Sequence, residues 1–269
     1  MLENEKIEKL SSKSCQLAIK LLETCYKANC GHIGSCLSSL NLLVYLFHQR
    51  MNGNDEFVLS KGHAATVYYI ILHSRGLIPD EIMATFYKEG TLLGAHPPSS
   101  RKIEKIKFGT GSLGHGLSLS TGLSLAQKLK NSGKEIFCLL SDGECNEGSV
   151  WEAAMFAAHH QLDNLYVIID KNNLQGLGKT SEIINMEDMK EKWVSFGFGT
   201  AVCDGHDFNS INAAFSEVQR SAKPKCVVAE TVKGNSVKFM ENDFKWHYLP
   251  LTKDLFEQAL VDVEDYYAG

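Results

Sequence analysis

Asp142-Gly143 stands thirty residues before Asn172-Asn173, and together they have the residue types of a divalent-metal site able to hold a diphosphate. A hard cation such as Mg2+ or Ca2+ takes oxygen ligands: a carboxylate, an amide oxygen, a backbone carbonyl and phosphate oxygens. One protein carboxylate with neutral partners leaves the remaining negative charge to the diphosphate. Five histidines, His32, His63, His96, His115 and His247, stand beside glycine, proline or tryptophan at turns and element ends. Histidine hydrogen-bonds hydroxyls and phosphates and moves protons near neutral pH. Each feature taken singly also has a plainer reading. Asp142 can be a helix cap, Asn172-Asn173 a turn, and each histidine structural or exposed.

The elements that must position these residues follow from the apolar pattern. Glu135 to Leu140 reads as a buried strand, Ser141-Asp142-Gly143 as the turn, and Glu147 to Gln161 as a helix. A second strand, Leu165 to Ile169, ends at Asp170-Lys171-Asn172-Asn173. Two parallel strands joined by a helix bring their carboxyl ends side by side, where ligands of open α/β sheets bind. Upstream, the pattern predicts helices over 3–29, 37–50, 63–73 and 80–88, with a strand at Phe57-Val58-Leu59. Gly31-His32-Ile33-Gly34 separates the first two helices, and a loop rich in Gly, Pro and Ser runs to about residue 110. Gly111-Ser112-Leu113-Gly114-His115-Gly116 opens a helix to Leu129. Downstream lie a loop to about 187, helices over 189–196, 211–220 and 253–262, and strands at 200–202 and 225–231. Strands alternating with helices predict one α/β domain over 1–269, a doubly wound, mainly parallel sheet flanked by helices.

Composition narrows the function classes. The chain has 269 residues, 44% of them hydrophobic and 22% charged, which is ordinary for a globular protein. A net charge of -5 gives no reason to expect nucleic acid or an anionic membrane as partner. No apolar run approaches the roughly eighteen residues that span a bilayer, and the charged start Met1-Leu2-Glu3-Asn4-Glu5-Lys6 lacks the pattern of a secretory signal. Eight cysteines, with no Cys-x-x-Cys pair, fall largely in apolar patterns and read as reduced core residues. The expected compartment is the cytoplasm.

From about residue 12 to 262 the chain resembles the amino-terminal half of transketolase, the thiamine-diphosphate enzyme. The resemblance rests on Gly31-His32-Ile33-Gly34, Phe57 through His63, Gly94-Ala95-His96-Pro97 and Thr110 through Gly116. It continues in Ser141-Asp142-Gly143 through Glu147-Gly148, Asp170 through Leu174, and Lys233-Gly234 through Trp246-His247. It implies that Asp142, Asn172 and the Leu174 carbonyl bind Mg2+ or Ca2+, and that Gly143 lets the backbone approach the diphosphate. It also implies that His63 and His247 contact the diphosphate, and that Gly111, Leu113 and Gly114 lie against the cofactor near its thiazolium ring. His32 and His96 would face substrate hydroxyls and assist proton transfer, and Glu147 would sit at the subunit contact. From the residue pattern alone, Leu113 reads equally as core at a helix start, and the glycine run as close helix packing. Trp246 reads as an anchor for the tail, with His247 an exposed neighbour.

Three residues depart from the family pattern. Ser141 replaces the usual glycine, His115 stands where many transketolases have glutamine, and Tyr248 stands where glycine is common. The last two bear on the substrate, near whose channel both are expected. The resemblance further implies that the pyrimidine-binding domain and its activating glutamate reside on a separate chain. This chain is then expected to be the amino-terminal subunit of a split transketolase, in a two-plus-two heterotetramer with cofactor between unlike chains. The reaction expected is transfer of a two-carbon ketol unit from a ketose (phosphate) to an aldose. Two other readings stay open: a 2-oxo acid decarboxylating and carboligating subunit like 1-deoxyxylulose-phosphate synthase, and a non-catalytic subunit that stabilises a partner.

Overall fold

The computed structural model describes residues 1–99, 102–186 and 188–268. Its strands are β1 (Glu56–Leu59), β2 (Ile136–Ser141), β3 (Leu165–Lys171), β4 (Leu174–Gln175), β5 (Gly178–Lys179), β6 (Gly199–Asp204) and β7 (Lys225–Glu230). Its α-helices are α1 (Asn4–Ala28), α2 (Ile33–Tyr45), α3 (Ala65–Ser74), α4 (Asp80–Met83) and α5 (His115–Leu129), then α6 (Gly148–His159), α7 (Thr180–Ile183), α8 (Met189–Ser195), α9 (Phe208–Gln219) and α10 (Lys253–Ala268). Five strands form one parallel sheet in the order β1-β2-β3-β7-β6. β4 and β5 form a separate antiparallel hairpin.

The central strands have no polar face because both faces are covered. In β2, Phe137 and Leu139 belong to one core with α1, α2, α3 and α9. Ile136, Cys138 and Leu140 belong to a second core with α5, α6 and α8. This period-two division between two helix layers is the doubly wound arrangement the pattern predicts. Each fully buried aliphatic side chain contributes about 1.5–3 kcal/mol, so both layers hold the sheet rigidly under whatever its strand ends carry. All eight cysteines are free, and seven are buried. Among the described residues no helix is long and apolar enough to cross a membrane.

Several boundaries differ from the pattern; α9, for example, starts at Phe208, not Ile211. α2 starts at Ile33, not Leu37, directly after His32 in the left-handed region (φ 64°). Every residue of α2 is buried, so no amphipathic period marks its start. The helical hydrogen bonding then continues to Arg50 as one π turn. The expected helix over 80–88 is only the single turn α4; Tyr87 at φ 63° lies outside helical space. The expected loop after Asn173 contains β4, β5 and α7, whose two-residue strands are too short to carry a period. α10 runs six residues beyond 262, to Ala268.

Candidate active site

The ends of β2 and β3 are in register, Ser141 opposite Asp170, and the Asp142 N–H donates to the Asp170 carbonyl at 3.2 Å. That contact turns Asp142 toward the segment after β3. Its Oδ1 accepts from Gly143 N at 2.8 Å, which caps the short 3-10 turn Gly143–Asn146. Its Oδ2 accepts from Asn173 N at 2.7 Å and from Thr180 Oγ1 at 3.2 Å. Asp142 therefore caps this short turn, not helix α6, and also reaches the segment after β3. A carboxylate offers about four acceptor positions, so three donors leave room for a cation. Asn172 Nδ2 donates to Ser38 Oγ at 3.4 Å, and Asn172 Oδ1 accepts from Leu174 N at 3.1 Å, which fixes the amide. Burial, followed by the nearby Asp170, pushes the Asp142 carboxyl up to about 6.

Asn172 and Leu174 form a wall shared by two cavities. One, of about 550 Å³, is also lined by Gly143, the histidines, Gln175 and Lys233. The other, of about 460 Å³, is lined by Asp142 and Thr180. A Cβ on Gly143 would stand 2.7 Å from Gln175 Cγ, so glycine keeps this wall open. Gln175 Nε2 is buried with no hydrogen-bond partner, an unused donor beside Gly143 and Asn172. Among the described residues no three His, Cys, Asp or Glu side chains form a protein-only metal cage. A cation here would draw on the Asp142 carboxylate with amide, carbonyl and ligand oxygens, which is the donor set of a diphosphate–metal complex.

Four of the five histidines meet around the larger cavity. The His32 ring lies 4.9 Å from His247, 5.7 Å from His63 and 6.0 Å from His96, and His63 lies 5.2 Å from His247. His32 N donates to the His247 carbonyl at 3.2 Å, tying the start of α2 to the 3-10 turn Phe244–His247. Trp246 is buried and its indole donates to the Phe239 carbonyl at 3.1 Å, so it does anchor the tail. His247 is not its exposed neighbour but part of the cavity wall. His115 is not part of it: it is exposed on the first turn of α5, with Nδ1 3.2 Å from the Ser112 carbonyl. Of these two departures from the family pattern, Tyr248 lines this cavity and His115 does not.

The imidazoles are held neutral. Burial, then His96 and Lys233, push His32 down to about 4. Burial, then Lys233, His32 and Lys61, push His247 down to about 3. Burial puts His63 well below the ordinary range and lowers His96. Burial, then Lys61, lowers Lys233 to about 8, with Asp170 and Asp142 opposing. Histidines depressed in the folded state refuse protons that the unfolded chain accepts near pH 6.5. Their contribution to stability is complete above that pH and is lost as pH falls toward 4. We expect His247→Asn to flatten the fall of chemical-denaturation stability between pH 6.5 and 4. The change is about 1.4 kcal/mol per pH unit, one proton's worth.

Buried charges outside the motif hold these parts in place. Lys61 and Asp170 are both fully buried and form an ion pair. Lys61 Nζ also donates to the Ser35 carbonyl at 3.1 Å, and Asp170 accepts from Ser38 Oγ at 2.6 Å and from Thr231 Oγ1. Burial raises the Asp170 carboxyl, and Lys61 with these donors more than offsets that, leaving it below the usual range. The fully buried Glu144 accepts from Ser60 Oγ, from Gly114 N at 2.8 Å and from Ser141 N at 3.2 Å. It joins the ends of β1 and β2 to the turn that carries Leu113. Gly111 and Leu113 line the cavity. Gly114, at φ 83°, packs instead against Glu147 and Ser149, and Gly116 against Ser60. The glycine run thus serves both cavity wall and close helix packing. Glu147 precedes α6, makes no side-chain capping bond, lines the cavity and is exposed on this chain.

Comparison with known proteins agrees with this geometry. Residues 11–261 match the family described as transketolase, thiamine diphosphate binding domain. The chain is 35% identical to one subunit of the apulose-4-phosphate transketolase of Phocaeicola vulgatus, over 96% of this chain and 95% of that protein. It is 34% identical to the 6-deoxy-6-sulfo-D-fructose transketolase subunit SqwG of a Clostridium species, over 90% of this chain and 92% of that protein. Among solved structures, transketolase from Campylobacter jejuni superposes with a TM-score of 0.83 at 26% identity. That match covers 98% of this chain and 43% of the other, so the chain spans less than half of that polypeptide. A five-stranded parallel sheet whose strand ends gather Asp142, Asn172 and four histidines, matched over residues 11–261, places this chain in the transketolase family as its thiamine diphosphate binding domain.

Proposed function

We propose that this chain is the amino-terminal subunit of a split transketolase, working with a separate polypeptide that carries the pyrimidine-binding domain and activating glutamate. The observation that carries the reading is the meeting of Asn172 and Leu174 with four histidines around one cavity of about 550 Å³. Similarity to transketolase subunits along nearly their whole length supports the two-chain form. The assembly is a two-plus-two heterotetramer in the cytoplasm, with Glu147 at the contact between chains.

Asp142, Asn172 and the Leu174 carbonyl hold Mg2+ or Ca2+. His63, His247, Lys233 and the unused Gln175 amide bind the diphosphate, and Gly143 leaves room for it. Gly111 and Leu113 lie against the thiazolium ring, with Gly114 setting their turn. When bound, thiamine diphosphate supplies the carbon nucleophile that carries the two-carbon ketol unit. His32 and His96 orient the sugar by hydrogen bonds to its hydroxyls. As neutral imidazoles they accept the proton of the donor's C3 hydroxyl when the aldose leaves. They return a proton to the acceptor's aldehyde oxygen. Neutrality matters here, because an imidazolium could not accept the first proton.

The test mixes this chain with its carboxy-terminal partner, thiamine diphosphate and Mg2+, and follows aldose release from ketoses. Donors include pentulose phosphates, apulose 4-phosphate and 6-deoxy-6-sulfo-D-fructose. We expect release only with both chains, cofactor and metal present. Carbon dioxide from pyruvate without ketol transfer would contradict the reading and assign 2-oxo acid chemistry.

A further inference from the structure

Tyr248 joins the histidine turn to the β4–β5 hairpin across the cavity mouth. Its ring lies 4.8 Å from His247, at 71°. Its backbone is fixed: Tyr248 N donates to the Lys245 carbonyl at 2.9 Å, and its carbonyl oxygen stands 2.6 Å from where a Cβ on Gly31 would lie. The phenol oxygen stands 2.5 Å from where a Cβ on Gly176 would lie. Gly176 does not have positive φ, so the local backbone does not require glycine there. The space is needed by the tyrosine.

Nothing in the fold demands that tyrosine in return. Its backbone angles, φ -119° and ψ -34°, suit any residue, and 59% of the residue is exposed. Its hydroxyl makes no hydrogen bond among the described residues. An aromatic wall with an unused hydroxyl therefore stands at the rim of a cavity whose inner end holds His32 and His247.

We infer that Tyr248, seated on Gly176, is a specificity-determining residue. It limits the length of the sugar chain and offers its hydroxyl to an oxygen group on the sugar's far end. The inference rests on the ketol-transfer reading above. The phenol is uncharged, so it recognises a distal hydroxyl or phosphoryl oxygen by one neutral hydrogen bond, and full neutralisation of a distal anion falls to other residues.

The test uses the assembled enzyme with aldose acceptors graded from glycolaldehyde to hexoses, with and without terminal phosphate. Tyr248→Phe should raise KM for acceptors bearing a distal oxygen roughly fivefold, the effect of one neutral hydrogen bond, with kcat little changed. Tyr248→Gly should shift the kcat/KM ratio toward longer acceptors by about tenfold, as removing a steric barrier does. Gly176→Ala should change that ratio in the wild-type background and leave it unchanged in the Tyr248→Gly background, since the two residues act through one contact. Identical acceptor ratios in wild type and all variants would overturn the inference while leaving ketol transfer intact. A matching loss of thiamine diphosphate affinity in Tyr248→Phe would also overturn it, by making Tyr248 a cofactor contact. A wild-type assembly that transfers no ketol unit would remove the reading of the site itself.

Discussion

In the chain assembled with its carboxy-terminal partner, Asp142→Asn should weaken Mg2+-dependent retention of thiamine diphosphate by at least about a hundredfold while leaving the chain folded. The asparagine keeps the shape of the side chain and one acceptor oxygen for the donors from Gly143, Asn173 and Thr180. It removes the only charge that this loop offers a cation, since Asn172 and the Leu174 carbonyl are neutral. Even residues that merely orient metal ligands typically contribute 10–100-fold in affinity, so loss of the charged ligand should exceed that range. The amide also brings donors of its own into a position that now receives three, so a modest fall in stability accompanies the change. Equilibrium dialysis with Mg2+ measures the affinity, and thermal melting reports the fold. Undiminished cofactor retention and turnover in this variant would show that the metal lies elsewhere.

Lys61→Met should destabilise the chain by about 3–5 kcal/mol, the cost of leaving a buried charge unpaired. The affected charge is Asp170, which has no exposed surface and whose other partners, Ser38 and Thr231, are neutral. Combining Lys61→Met with Asp170→Leu should recover much of the lost stability, because a buried ion pair replaced by apolar groups is often close to neutral. The double variant should not recover cofactor affinity. Lys61 also fixes the Ser35 carbonyl, and Ser38 links Asp170 to the Asn172 amide. Urea denaturation reads the stability, and titration of thiamine diphosphate into the assembled enzyme reads the affinity. Wild-type stability in the single variant would mean that the pair contributes nothing, and recovered affinity in the double would mean that it positions nothing.

The approach of Asp142 to the segment after β3 was legible in the sequence because short apolar strands and one helix bracket it, and parallel connection permits a single placement of their ends. The histidines were legible as a set and not one by one. His115 follows a glycine as His32 and His63 do, yet faces solvent, because helix α5 begins at that residue and turns it away from the cavity. Lys61, Asp170, Glu144 and Lys233 were missed as parts of the site, since a charged residue in sequence ordinarily means surface. Their signal was positional: Asp170 closes an apolar strand, and Lys61 lies between a strand end and a glycine turn. The start of α2 was hidden by its complete burial, and the β4–β5 hairpin by its brevity. Both lie beside the cavity, where conformation is set by contacts from distant segments, such as Ser38 with Asp170 and Tyr248 with Gly176.

The central claim is that this chain provides the diphosphate and metal half of a thiamine diphosphate site shared between unlike subunits. Calorimetric titration of thiamine diphosphate with Mg2+ into the chain alone, and into the chain mixed with its carboxy-terminal partner, tests it most directly. Tight, metal-dependent binding in the mixture and not with either chain alone is the predicted result. Absence of binding in every sample would contradict it.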